Sequence, residues 1–179
     1  GGGVVRGLVV GGGGSWSRKP IDDLVAHAQG LGARGLVWIR LGEEGLTSSA
    51  LKAIGEEGCR ALAGGLGAAK GDLVLLAAGE RDRASQILGA LRLHLSRTLK
   101  LTEGAAPRLL WVQNFPLLER SEEGRLVSCH HPFTSPRPED LGRLEEAPET
   151  VRALAYDLVL NGAEIGGGVA LVQEQIRVP

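Results

Sequence analysis

The chain has 179 residues, of which 43% are hydrophobic, so it can bury a core as one domain or as two small ones. With 20 basic and 21 acidic residues its formal net charge is −1, which excludes a global positive field for nucleic acid or an anionic membrane. No apolar run reaches the roughly 20 residues that span a bilayer, and we expect neither a membrane nor a secreted protein.

The first hundred residues begin with alternating strand and helix signals. The run VVRGLVV at 4–10 predicts a strand, and GGGGS at 11–15 predicts a flexible break, because it lacks the spacing of a phosphate-binding loop. Ser17, three residues before Pro20, marks a helix start, and Gly30 or Gly32 ends that helix. The next run, GLVWIRL at 35–41, predicts a second strand.

A second helix is predicted from Ser48 to about Leu66, followed by a buried strand over 71–79 and a third helix over 81–99. This order predicts a compact α/β or α+β module in residues 1–100, with LTEGAAP at 101–107 as the junction. Two cysteines, Cys59 and Cys129, lie far apart without CxxC spacing, which excludes a disulfide framework and a four-ligand zinc site.

The remaining residues predict antiparallel sheet. RLLWVQNFPLL is strand-like up to Pro116, ERSEEGR at 119–125 predicts a charged hairpin turn, and a polar loop over 134–140 precedes a predicted helix at 148–155. Asn161-Gly162 between two apolar runs predicts a tight hairpin. Because the chain starts with glycine and contains no methionine, we expect a piece of a longer protein.

The stretch CHHPFTSP contains His130 and His131 side by side. A metal site is a poor match, because adjacent side chains diverge, whereas a helical pair of ligands needs positions i and i+4. Pro132 favours an extended backbone before it, so the two imidazoles should point to opposite sides. One histidine could reach a ligand, or the pair could be structural, one ring buried and the other exposed.

A second group of candidates surrounds the predicted hairpin. Asp157 and Glu164 would flank its turn on paired strands, where their carboxylates could share a divalent cation with a polyphosphate. The glycines that follow, Gly166, Gly167 and Gly168, are costly inside a strand and make sense where a ligand presses on the backbone. The alternative is a bulged, flexible hairpin with two solvated acids.

RLLWVQNFPLLE, CHHPFTSPRPEDLGRLEEAP and RALAYDLVLNGAEIGGG, in this order, resemble bacterial-type aspartyl-tRNA synthetases, including the mitochondrial enzymes. Upstream, SWSRKPIDDL, GARGLVWIRL, KGDLVLLAAGE and LGALRLHL resemble their GAD insertion domain. The resemblance implies an α+β chain: a GAD-like α/β sandwich module at 1–100, then at 101–179 a partial antiparallel sheet of a class II synthetase catalytic domain.

The resemblance also implies a function, the joining of aspartate to tRNA through an aspartyl-adenylate made with ATP and Mg²⁺. His131, together with His130, would contact the aspartate or adenylate, and Asp157 and Glu164 would bind ATP through Mg²⁺, which is their only metal role. Residues 166–168 would form the floor of the site. Implied partners are aspartate, ATP and tRNA in a homodimeric parent enzyme, without a membrane, in a bacterial cytoplasm or the mitochondrial matrix.

Two departures weaken this likeness. Leu171 stands where the family has an arginine that grips the aspartate side chain, and Asn114 stands where it has an acid. The first two class II motifs, the anticodon-binding barrel and the final motif are absent, so we expect no aminoacylation by this chain alone and assign no certain catalytic residue. The alternative is a non-catalytic binding or interaction module derived from the synthetase, for which RNA binding is an open question.

Overall fold

The computed structural model describes residues 3–121 and 123–171. The chain divides into two compact units, Gly1–Leu101 (unit 1) and Thr102–Pro179 (unit 2). Helices occur together with antiparallel sheets, which confirms the α+β class. In the described part of the chain, no helix has both the length and the apolar character needed to cross a membrane.

Unit 1 is built around one four-stranded antiparallel sheet in the order β1-β4-β2-β3. Its elements are, in chain order, β1 (Val4–Val10), α1 (Arg18–Gly30), β2 (Val37–Gly42), β3 (Gly45–Ser48), α2 (Leu51–Gly65), β4 (Leu73–Gly79) and α3 (Arg81–Thr98). The predicted strands at 4–10, 35–41 and 71–79 and the helices that start after Ser17 and near Arg81 are confirmed.

The core of unit 1 lies on both faces of the sheet. On one face α1 and α3 pack with residues such as Ile21 and Leu91 against Leu75. On the other face Cys59 and Ala63 of α2 pack against the remaining side chains of the sheet. Because β4 lies inside the sheet and has helices on both faces, its residues 73–77 are buried, as their apolar composition predicts, whereas Ala78 and Gly79 at its end are exposed.

Two expectations for unit 1 are wrong. The GGGGS segment is no flexible break but contains a 3₁₀ turn, Gly13–Ser15, in which Gly13 and Gly14 are buried. A Cβ on Gly14 would lie 2.6 Å from the carbonyl carbon of Gly71, so close backbone packing explains the glycine. The second helix starts at Leu51, because residues up to Ser48 pair with β2 as the unpredicted strand β3.

Unit 2 contains a three-stranded antiparallel sheet in the order β5-β8-β9 and a separate hairpin, β6–β7. Its strands are β5 (Leu109–Gln113), β6 (Leu118–Arg120), β7 (Leu126–Ser128), β8 (Ala155–Leu160) and β9 (Ala163–Val169). Asn161 and Gly162 have φ of 49° and 87°, the positive values that a tight two-residue hairpin requires, so the predicted hairpin is confirmed.

The predicted helix at 148–155 is wrong. Only a short 3₁₀ turn, Pro148–Thr150, forms there, and the chain is then extended. The Ala153 N–H donates to the Phe115 carbonyl at 2.8 Å, and the Arg152 carbonyl accepts from the Arg137 N–H at 2.8 Å. These bonds to neighbouring segments replace the hydrogen bonds of a helix. They also bring Val151 and Ala153 into the small core of unit 2.

Candidate functional site

The histidine-containing loop lies against the ends of the β8–β9 hairpin. Ser135 donates its N–H to the Ala170 carbonyl at 2.7 Å and accepts at its own carbonyl from the Leu154 N–H at 2.8 Å. An isolated bridge also pairs Thr134 with Leu171. The structure therefore joins two sequence-predicted groups, the loop and the hairpin, that are separated along the chain.

The two histidines of the loop have different neighbours. The His130 ring meets the Phe115 ring edge to face at 5.1 Å, and its Nε2 is buried without a hydrogen-bond partner in the described ranges. His131 is exposed, and its Nδ1 accepts the Phe133 N–H at 3.2 Å. Since a neutral imidazole that accepts at Nδ1 carries its proton on Nε2, His131 offers an Nε2–H donor.

The shape of the loop at His131 is fixed by Thr134, which is buried. The N–H and the hydroxyl of Thr134 both donate to the His131 carbonyl, at 2.9 and 2.7 Å. These two hydrogen bonds hold the backbone of His131 in one conformation. The position from which the His131 side chain extends is therefore fixed.

Sequence reasoning missed Asp140, which anchors the segment after the loop. Its buried carboxylate accepts from the backbone N–H, Nε and Nη2 of Arg152, at 2.9, 2.8 and 3.0 Å, and also from Arg143. Arg152, and then Arg143, hold the pKa of Asp140 well below its usual range. The sequence signal for this pairing is Pro138, because proline favours the start of a helical turn. Within that turn Asp140 and Arg143 lie three residues apart, a spacing that brings two side chains together.

The two predicted acids lie on adjacent strands. Asp157 is opposite Gly167 and Glu164 is opposite Val159, with a β-bulge between these pairs. Because directly opposite residues share a face and alternate residues of a strand share a face, Asp157 and Glu164 project from the same face of the sheet. Neither carboxylate has a hydrogen-bond or ion-pair partner among residues 3–121 and 123–171.

The three glycines of β9 differ in their surroundings. A Cβ on Gly167 would overlap the carboxylate of Asp157 and lie 3.0 Å from the Tyr156 carbonyl oxygen. A Cβ on Gly168 would lie 2.7 Å from the Tyr156 hydroxyl, whereas one on Gly166 would meet nothing within 4 Å. Two of the glycines therefore make room for side chains of β8, and only Gly166 leaves open space.

The chain is similar to known proteins over most of its length. Residues 1–88 match the GAD domain family. The aspartate–tRNA(Asp/Asn) ligases of Persephonella marina and Bacillus subtilis are 45% and 46% identical over 175 and 176 residues, which cover 93% and 97% of this chain and 29% and 30% of those proteins. The Halalkalibacterium halodurans aspartate–tRNA ligase is 47% identical over 169 residues, 93% of this chain and 28% of that protein.

Over nearly its whole length, the chain is similar to one part of these aspartate–tRNA ligases. It spans about 30% of the length of these curated relatives, and the resemblance drawn from its motifs is confirmed. Two positions at which the resemblance led us to expect another residue can be located. Leu171 is exposed beside the histidine loop. Asn114 has φ 63°, in the left-handed region that asparagine and aspartate tolerate better than most other residues, so either residue suits this turn.

The chemistry of Asp157 and Glu164 decides whether they suit a magnesium ion. In the described part of the chain no group of three or more His, Cys, Asp or Glu side chains could hold a metal by itself. Mg²⁺ bound with a nucleotide commonly uses only one or two carboxylates together with phosphate oxygens and water. Asp157 and Glu164, unpaired and on one face, fit that incomplete arrangement.

Proposed function

We propose that this chain is the part of an aspartate–tRNA ligase that carries the GAD domain and one side of the aspartyl-adenylate site, within a class II catalytic fold. The whole enzyme would activate aspartate with ATP and transfer it to tRNA. The observation that carries the proposal is the pair of hydrogen bonds of Ser135, which hold the histidine loop on the hairpin that presents Asp157 and Glu164.

Each side chain has a role that its geometry supports. His131 donates its Nε2–H to a carboxylate or phosphate oxygen of the ligand, while Phe133 holds the other ring nitrogen. Asp157 and Glu164 would hold Mg²⁺ together with ATP, and the ion would supply charge that offsets the phosphates. His130, packed on Phe115, supports the loop from behind. Of the three glycines, only Gly167 lies on the face of Asp157 and Glu164, whereas the open space at Gly166 lies on the opposite face, with Leu158.

At position 171 the chain carries leucine, which offers no cation for the aspartate side chain. Leu171 cannot replace a bidentate arginine, so we propose that this chain alone binds aspartyl-adenylate weakly and does not aminoacylate tRNA. In the parent ligase, tRNA, aspartate and ATP are the proposed partners and a homodimer the proposed assembly. The bacterial cytoplasm or the mitochondrial matrix is the proposed location.

A second candidate is a non-catalytic interaction module. It is favoured by one observation, the apolar surface on the sheet of unit 2, where Leu109, Trp111 and Tyr156 are all exposed. These residues lie on the face opposite to Asp157, since they alternate with it along paired strands. A partner that covered this face would leave the acids exposed.

The two candidates are separated by titrating the purified chain with a non-hydrolysable aspartyl-adenylate analogue in a calorimeter, with Mg²⁺ present. We expect saturable binding that is lost in His131→Ala and kept in His94→Ala, a matched histidine in unit 1. An aminoacylation assay on the same chain should give no product. Absence of binding at millimolar analogue would contradict the ligase-site proposal and favour the interaction module.

A further inference from the structure

The edge of unit 1 carries a groove that the proposed ligase site does not use. β1 has β4 as its only neighbour in the sheet, so alternate backbone N–H and C=O groups of Val4–Val10 have no strand to pair with in the described chain. The groove has a volume of about 640 Å³ and runs along this free edge between α2 and α3.

The α2 side of the groove is apolar and open. Val5 of β1 is 59% exposed, and Leu62 of α2 and Leu66, which directly follows α2, are exposed beside it. Leu66 reaches over the strand, because a Cβ on Gly7 would come within 2.6 Å of its side chain. Gly65, which also lines the groove, would meet nothing within 4 Å if it carried a Cβ, so free space adjoins the strand there.

The α3 side of the groove is positively charged. Val4 and Leu8 pack on the α1/α3 face of the sheet, so Arg6, which alternates with them, projects to that face. Arg92 of α3 lines the same groove. Both arginines are exposed, neither has an acidic partner within residues 3–121 and 123–171, and no acidic residue lines the groove.

We propose that an extended segment of a partner protein binds here as a fifth strand, paired with β1, and that its side chains alternate between apolar and acidic. Strand addition satisfies the free backbone groups of the edge. Since successive side chains of a strand point to opposite faces, apolar side chains meet Leu62 and Leu66 while acidic ones meet Arg6 and Arg92.

Charge favours this occupant over a second copy of the chain. If two copies paired through β1, Arg6 and Arg92 of each would enter one joint groove, and four like charges would lie together without counter-charges. An acidic segment instead neutralises the two cations that are present. The groove lies wholly in unit 1, so the proposal does not rest on the adenylate site of unit 2.

The test uses the full 179-residue chain and a capped seven-residue peptide of alternating valine and glutamate as the probe. We expect saturable binding by NMR, with shifts confined to Val4–Val10 and the facing sides of α2 and α3. A peptide with lysine in place of glutamate should bind at least about tenfold more weakly. A third peptide, N-methylated at every residue, should not bind, since it has no backbone N–H to donate to the edge.

Variants decide whether the charges act as proposed. The double change Arg6→Glu and Arg92→Glu should reverse the preference so that the lysine peptide binds better, whereas Arg34→Glu, an exposed arginine outside the groove, should change nothing. Equal binding of the glutamate and lysine peptides, or binding of the N-methylated peptide, would overturn the proposal. So would the absence of binding at millimolar peptide, or a dimer paired through β1 in ultracentrifugation.

Discussion

Gly167 lies where the Asp157 carboxylate rests on the neighbouring strand. We predict that Gly167→Ala destabilises unit 2 by about 1–3 kcal/mol, because the new methyl group overlaps this carboxylate and approaches the Tyr156 carbonyl. Urea unfolding followed by tryptophan fluorescence measures the change in the free energy of unfolding. The displaced carboxylate should also weaken binding of the adenylate analogue.

The matched control for that change is Gly166→Ala in the same strand. Its Cβ meets nothing within 4 Å, so the effect should be small and, through the lower entropy of the unfolded chain, stabilising by about 0.5–1 kcal/mol. Equal losses of unfolding free energy in Gly166→Ala and Gly167→Ala would mean that these positions need glycine for strand flexibility and not for the space that the Asp157 carboxylate occupies.

A substitution of Leu171 tests whether an arginine at this position binds the aspartate side chain of the ligand. Because Leu171 is exposed beside the histidine loop, an arginine at this position displaces no buried side chain. We expect it to tighten binding of the aspartyl-adenylate analogue about tenfold or more, since hydrogen bonds to charged groups contribute about 1.5–3 kcal/mol. Calorimetric titration gives the dissociation constants.

Two controls identify the source of that gain. Leu171→Gln has a similar length without the charge and should bind like the unchanged chain. An alanyl-adenylate analogue, which lacks the side-chain carboxylate, should not respond to the arginine. A comparable gain in either control would show that the arginine acts on the phosphate or on loop order and does not grip the aspartate side chain.

Among the helices, α2 is interrupted by Gly55. This residue has φ 70° and ψ 175°, a conformation that is almost restricted to glycine, one turn after the helix begins. We predict that Gly55→Ala lowers the free energy of unfolding of unit 1 by about 1–3 kcal/mol. Gly64→Ala, in the same helix with ordinary helical geometry and open space, should raise it by about 1 kcal/mol. Thermal unfolding measured by circular dichroism compares the pair, and a stabilising Gly55→Ala would refute the interruption.

Helices α1 and α3 meet through a histidine pair that should make unit 1 sensitive to acid. The rings of His27 and His94 stack at 4.2 Å. Burial, then the charges of His27 and Arg97, lower the pKa of His94 from its ordinary 6.5. The unfolded chain therefore takes up a proton more readily than the folded chain, so stability is full above pH 6.5 and falls as the pH decreases through the lower folded pKa.

Urea unfolding of unit 1 between pH 7.5 and 5.5, followed by NMR signals of α1 and α3, tests this dependence. His94→Gln should flatten it, whereas His131→Gln, in unit 2, should leave it unchanged. A chain that is equally stable at both pH values, or a pH dependence that survives in His94→Gln, would contradict the assignment to the stacked pair.

The accuracy of the sequence predictions varied from element to element for physical reasons. Strands such as β4 and the Asn161-Gly162 hairpin were predictable, since an apolar run and a turn dipeptide are local signals. β3 was missed because its pairing with β2 is a tertiary preference and its residues carry little hydrophobic pattern. Asp140 was missed because its main hydrogen-bond partner, Arg152, lies 12 residues further along the chain, where no local pattern connects the two. The histidine loop stood out in the sequence itself, and its ligand role was predicted from the family resemblance, but its contact with Ala170 and Leu171 after β9 is tertiary and has no local signal.

Across the whole molecule, the two units differ in how much apolar surface they bury. Among the residues that the structure describes, unit 1 has fourteen buried residues in one core cluster and five in another, whereas unit 2 has four, around Val151 and Ala153. Unit 2 also leaves large apolar side chains such as Leu109, Trp111 and Ile165 more than half exposed. Since buried apolar area is the main source of stability, unit 2 should be the less stable unit in the isolated chain.

Native-state hydrogen exchange tests this difference on two comparable strands. β4 and β8 each lie between two hydrogen-bonded neighbours, so their amides differ mainly in the core beneath them. We expect amides of β8 to exchange at least roughly tenfold faster than those of β4, because they open through the unfolding of the weaker unit. Addition of the adenylate analogue should slow exchange in β8 and leave β4 unchanged, since a ligand stabilises only the unit that binds it. Equal protection of both strands without ligand would mean that unit 2 is stable with its small core alone, and its exposed apolar face would then need no covering partner.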